Sequence, residues 1–144
     1  ETDYEFIEIN KRLRAKRPDL VRQIIETLEA QGSAVEMDPE TGLLLVNREV
    51  LVSLVLSRCT TTAGGSRRWI IRLEQGLKPD ITIAARMDQA NEGIQDYYLL
   101  PSRDLREEKL RLAEENPIHL DAFRFDDLSF FYELAERVTI ETAA

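Results

Sequence analysis

Hydrophobic positions change period twice along this chain. Leu20, Val21, Ile24, Ile25 and Leu28 fall on one stripe of a helix. Pro18 suits a first helical position, and Gly32 can take a left-handed stop. The spacing predicts a helix over 18–31. Beyond it, apolar residues alternate with polar ones or run in short β-branched blocks. These read as strands at 34–37, 43–46, 50–59, 67–74, 80–88 and 96–101. Asp-Pro-Glu-Thr-Gly (38–42) and Asn47-Arg48-Glu49 are turns between them. The Gly64-Gly65 loop is the tip of a hairpin joining strand 50–59 to strand 67–74. After Pro101 the period lengthens again. Ser102 is an N-cap, acids follow it and arginines come later, which predicts a short surface helix over 102–116. Asn-Pro-Ile-His-Leu-Asp-Ala-Phe-Arg-Phe (116–125) reads as a linker or edge strand. Leu128, Phe131, Leu134, Ala135 and Val138 predict a last helix over 126–138.

The expected fold is α+β. A mainly antiparallel sheet of four to six strands (about 34–100) is flanked by an N-terminal helix and two C-terminal helices. Short connections favour antiparallel neighbours. Residues 1–17 read as a polar lead-in, 18–138 as one domain and 139–144 as a tail.

Composition narrows the function more than the fold. With 144 residues and 43% hydrophobic content, one ordinary core can form. No apolar run approaches the ~20 residues that span a bilayer, so no membrane association is expected. The chain opens on Glu1 without a methionine, as a piece of a longer protein would, and shows no secretory leader. One cysteine and one histidine exclude an internal disulfide and leave no Cys/His zinc set, so neither metal nor cofactor is expected. A reducing cytoplasm is the expected compartment. Cys59 stands beside Arg58 but has only the distant His119 as a base, and reads as a small buried hydrophobe. The Gly64-Gly65 loop leads into a strand, so it lacks the helix N-terminus of a phosphate-binding loop.

The net charge of −8 disfavours indiscriminate attraction to nucleic acid. Yet the charges are sorted. Lys11, Arg12, Arg14, Lys16, Arg17 and Arg22 crowd one segment, which could contact DNA, dock an acidic partner or pack on this chain's own Glu107, Glu108, Glu114 and Glu115. Strand parity sorts a second set. Ser53, Ser57, Arg68, Arg72, Thr82 and Arg86 alternate with apolar neighbours, and if those neighbours all face the helices, the opposite face is polar and basic. Arg67 flanks it. Arginine and hydroxyl groups suit phosphate contacts. The plainer reading is a solvated face with arginines paired to Glu74, Asp88 or the C-terminal acids.

The strand series Leu43–Cys59, Ser66–Leu73, Asp80–Asp88 and Asp96–Pro101 resembles the core of the restriction-endonuclease-like superfamily. That resemblance implies an Asp on one strand and a Glu-x-Lys on the next. Pro79-Asp80 supplies the Pro-Asp pair, but where the second motif belongs the chain reads Ser53-Leu54-Val55-Leu56-Ser57-Arg58. The segment 67–101 also resembles a region of bacterial recombinase-type and other mobile-element proteins. Together these imply a DNA- or partner-binding module of a DNA-transaction protein that does not cut, and strand parity supplies Arg67, Arg68, Arg72, Arg86, Ser53 and Ser57 as its contacts. The alternatives are a metal-dependent nuclease using Asp88 and Asp96 with Glu74, or a protein-protein interaction domain, homodimeric or not, that touches no nucleic acid.

Overall fold

The computed structural model describes residues 2–114 and 118–143, with side chains over 5–114 and 120–140. Two helices lead, α1 (Thr2–Lys16) and α2 (Pro18–Ala30). Seven strands follow: β1 (Val35–Met37), β2 (Leu44–Val46), β3 (Val50–Ser57), β4 (Thr60–Thr61), β5 (Arg67–Arg72), β6 (Ile81–Met87) and β7 (Ile94–Pro101). Then come β8 (Lys109–Ala113), a one-turn α3 (Ile118–Asp121), β9 (Arg124–Phe125) and α4 (Phe131–Ala143).

The strands form two sheets. Six lie in the order β1-β2-β3-β6-β7-β9, and three in the order β4-β5-β8. Every pairing is antiparallel except β3 with β6, which run parallel with Val52 opposite Ile81 and Ser57 opposite Arg86. The exception has a topological cause. The chain leaves the large sheet after β3, builds β4 and β5 on its face, and returns alongside β3 travelling the same way. Asp80 locks the return: its carboxylate accepts the Leu51 N–H at 2.9 Å, and its own N–H donates to the Leu51 carbonyl at 2.7 Å.

Period-2 alternation gives the large sheet two buried faces. Val52, Leu54, Leu56, Ile81, Ile83, Ala85 and Leu99 point to one side, against Leu20, Ile24 and Leu28 of α2 and Phe131 and Leu134 of α4. Val55, Ala84, Tyr98 and Leu100 point to the other, against Trp69, Ile71, Leu73, Leu110 and Leu112. The layers therefore run α2 and α4, large sheet, small sheet.

The helix expected over 102–116 does not form among its described residues. A 3₁₀ turn at Ser102–Asp104 and strand β8 take its place. The cause lies in Leu110 and Leu112, which alternate with Lys109, Arg111 and Ala113. That two-residue period buries both leucines against β5, whereas a helix would send them to different sides. The edge-strand reading of 116–125 holds for Arg124–Phe125. α4 begins five residues later than expected and runs on to Ala143. In the predicted hairpin, β4 rather than β3 is the partner of β5, and the Thr62 N–H donates to the Ser66 carbonyl at 2.8 Å across the Gly64-Gly65 tip.

α1 carries polar residues inward. Phe6, Asn10 and Arg14 are buried. The Asn10 amide donates to the Arg72 carbonyl at 2.9 Å, and Arg14 donates to the Leu54 carbonyl at 2.6 Å. Burial pulls the Arg14 guanidinium below its ordinary pKa, while the charge of Glu74 works the other way. Gly42, at φ +78°, leaves the space this guanidinium fills, and a Cβ there would collide with it. Gly42→Ala is therefore expected to cost about 2 kcal/mol or more, from left-handed strain plus displaced Arg14. A melting temperature unchanged within 1–2 °C would contradict this.

Candidate nucleic-acid interface

Strand parity places Ser53, Ser57, Thr82 and Arg86 on one face of the large sheet, as expected from the sequence. That face is not a surface. The small sheet covers it, and all four residues are at most 3% exposed. Ser53 donates to a carboxylate oxygen of Glu74, just beyond β5, at 2.5 Å, and Ser57 ties β3 to β5 by donating to the Ile70 carbonyl at 2.8 Å. Arg68 and Arg72 do not join them. They belong to β5, in the other layer, and point away from the interior that Trp69 and Ile71 fill. Parity within a strand fixes which residues share a side but not which layer the strand enters.

Arg86 is held in the interior by three kinds of contact. It donates twice to Asp96, both at 2.7 Å, and once to the Ala113 carbonyl at 3.2 Å. Its guanidinium lies 4.4 Å from the Trp69 ring centre and 5.1 Å from that of Tyr98. Asp96 also accepts from Arg124 at 2.8 Å. Burial would raise the Asp96 pKa, but hydrogen bonds and charge from Arg86 and Arg124 outweigh it and hold the carboxyl below its ordinary value. A depressed folded-state pKa stabilises the fold above the unfolded value near 3.8 and is lost as pH falls through the folded one. Stability is therefore expected to decline in acid below about pH 4. Asp96→Asn should flatten that decline in urea melts from pH 2 to 6, and an unchanged profile would exclude Asp96 as its source.

Arg67 lies at the rim of a polar groove of about 490 Å³ with Arg86, Gln95, Glu114, Asp121 and Arg124. It donates to Glu114 at 3.2 Å and to Gln95 at 2.9 Å. The Arg67 backbone N–H and side chain hold the Glu114 carboxylate below its usual range. In the basic segment 11–22, Arg17 donates to Asp19 and to the Asn91 and Glu92 carbonyls of the β6–β7 loop. Neither Arg14 nor Arg17 pairs with the C-terminal acids among the described residues.

A basic face does exist, on the outer side of the small sheet. Directly opposed residues of antiparallel strands share a side. Arg68 opposes Thr60 and Ala113, Ile70 opposes Arg111, and Arg72 opposes Lys109. Arg68, Arg72, Lys109 and Arg111 thus gather around Ile70, with the Thr60 hydroxyl donating to the Arg68 carbonyl at one end. Arg68, Lys109 and Arg111 are exposed and Arg72 half-buried. None of the four has an ion-pair partner among the described residues. Reading 102–116 as a helix concealed Lys109 and Arg111, and the Lys-Leu-Arg-Leu alternation was the signal that could have found them.

The acids weighed for catalysis are each held in a separate role. Asp88 accepts the Glu92 and Gly93 N–H groups and caps the β6–β7 turn. Asp96 is engaged by two arginines. Glu74 lies at the level of Ser53, four residues along the sheet from the level of Ser57, Arg86 and Asp96, roughly 13 Å away. Among the described residues, no three His, Cys, Asp or Glu side chains are grouped to hold a metal ion. Cys59 is buried, and the side chain of His119 lies outside the described residues. Among the described residues, no helix is long and apolar enough to cross a membrane.

The sequence matches no family model and no curated relative. The fold is similar to that of a bacterial homing endonuclease, I-Ssp6803I, with a TM-score of 0.53. The match spans 87% of this chain and 93% of that one at 13% sequence identity. The likeness is one of fold.

Proposed function

We propose that this chain is a DNA-binding module that does not cut, engaging the phosphate backbone through Arg68, Arg72, Lys109 and Arg111. One observation carries the reading. In a chain of net charge −8, four cations share one sheet face with no carboxylate at any of its positions. Holding like charges together costs free energy that a polyanion offsets. The fold of a homing endonuclease supports DNA as that polyanion. The reading treats the chain as a degenerate restriction-endonuclease-like core within a DNA-transaction protein of the mobile-element kind. Its β3 carries Ser53-Leu54-Val55 where the Glu-x-Lys would stand, and Ser53 and Ser57 serve the fold rather than the ligand.

Salt titration tests it. Four phosphate contacts give a slope of log K on log salt near −3.6, a loss of roughly 100-fold between 50 and 200 mM. Arg68→Ala with Arg72→Ala should bring the slope toward about −1.8, and Lys109→Ala with Arg111→Ala should match it. Absence of binding at 50 mM salt, or a slope indifferent to these four residues, would overturn the proposal. Mg²⁺- or Mn²⁺-dependent cleavage by a clean preparation, lost in Asp88→Ala, would instead favour the nuclease.

A further inference from the structure

We infer that the ligand of this face is double-stranded DNA held without sequence preference, rather than a single strand. The inference rests on the proposed function and narrows its substrate. Single strands are held chiefly by stacking bases on exposed aromatic rings along a basic groove. The outward positions of β4, β5 and β8 carry Thr60, Arg68, Ile70, Arg72, Lys109, Arg111 and Ala113, and no ring. Trp69, the one tryptophan, faces inward at 1% exposure and donates its indole N–H to the Met87 carbonyl at 2.9 Å. A base laid on this face would meet guanidinium groups and one isoleucine, with no platform to replace the stacking it left.

The charge geometry points the same way. Arg68 and Arg72 lie four residues apart on one strand, roughly 13 Å, and Lys109 and Arg111 run beside them one strand away, about 4.8 Å. Over 13 Å of axis a duplex presents about eight phosphates, against about four for one of its strands. A short two-row patch of cations gains most from the denser array. Arginine and lysine can pair with guanine edges, but the major groove admits a helix or a two-stranded ribbon, and these cations sit on a three-stranded sheet. Its contacts position a duplex without reading it.

Anisotropy with a labelled 20-base-pair duplex, an unrelated duplex of equal length and a dT20 strand separates the outcomes. The duplex is expected to bind at least about tenfold more tightly than dT20 at 50 mM salt, with the two duplexes within about threefold. Arg111→Gln and Lys109→Gln should weaken both duplexes equally. Circular dichroism melts of these variants guard against unfolding, which exposed positions should not cause. Binding of dT20 as tight as that of duplex, or a preference above about tenfold between duplexes, would overturn the inference and leave DNA binding intact. Binding of neither would overturn the proposed function itself.

Discussion

Asp96→Ala is expected to destabilise the fold by about 3–5 kcal/mol. Asp96 has no solvent exposure and is the bidentate partner of Arg86, which is 3% exposed. Removing the carboxylate leaves a buried guanidinium between Trp69 and Tyr98 with, among the described residues, only the Ala113 carbonyl still accepting from it. Arg124 can swing to water, because its side chain is 42% exposed, but Arg86 cannot. The penalty is that of an orphaned charge, not the worth of the pair. Arg86→Met combined with Asp96→Leu should therefore recover most of the loss. Urea unfolding of the three variants measures this. A single-variant loss under about 1 kcal/mol, or a double variant as weak as the single, would refute the account.

Trp69→Ala should cost about 3–5 kcal/mol by a different route, the cavity left by a large buried side chain. Trp69 belongs to the buried cluster between the sheets, with Ile71, Leu110, Leu112 and Tyr98. It also donates to the Met87 carbonyl and receives the Arg86 guanidinium on its ring. Within the small sheet β4 pairs over two residues and β5 with β8 over five, so its hold on the large sheet rests on the cluster that Trp69 belongs to and a few hydrogen bonds. Its outward basic side chains should accordingly lose order before the large sheet does. Trp69→Phe keeps the packing but leaves the Met87 carbonyl without its donor, for about 1–3 kcal/mol. Far-UV circular dichroism in denaturant is the appropriate probe, because the variants remove the one tryptophan. Amide exchange slow in β6 yet fast in β5 and β8 would mark the predicted order of loosening. Equal protection of all three strands in Trp69→Ala would refute it.

Local pattern made much of the fold legible. The stripe of α2 and the β-branched runs of β3, β6 and β7 are stated by residues a few positions apart. The parallel partnership of β3 and β6 was not, because short connections suggest simple meanders and the detour through β5 has no local mark. β8 was lost to a plausible cap at Ser102 and to acids that suited a helix, when the two leucines already alternated. The candidate site divides between two layers for the same non-local reason. Parity grouped Ser53, Ser57 and Arg86 correctly, but only a layer supplied by distant sequence decides that they are covered and that Arg68 and Arg72 face water.

A locally basic face on an acidic chain makes attraction depend on orientation. Four cations share the outer side of the small sheet while the whole chain carries −8. In the field of a polyanion such a molecule is drawn by that side more strongly than its mean charge allows, so an encounter is selected by orientation before contact. The selection is short-ranged, because salt screens it beyond about 10 Å at 0.1 M.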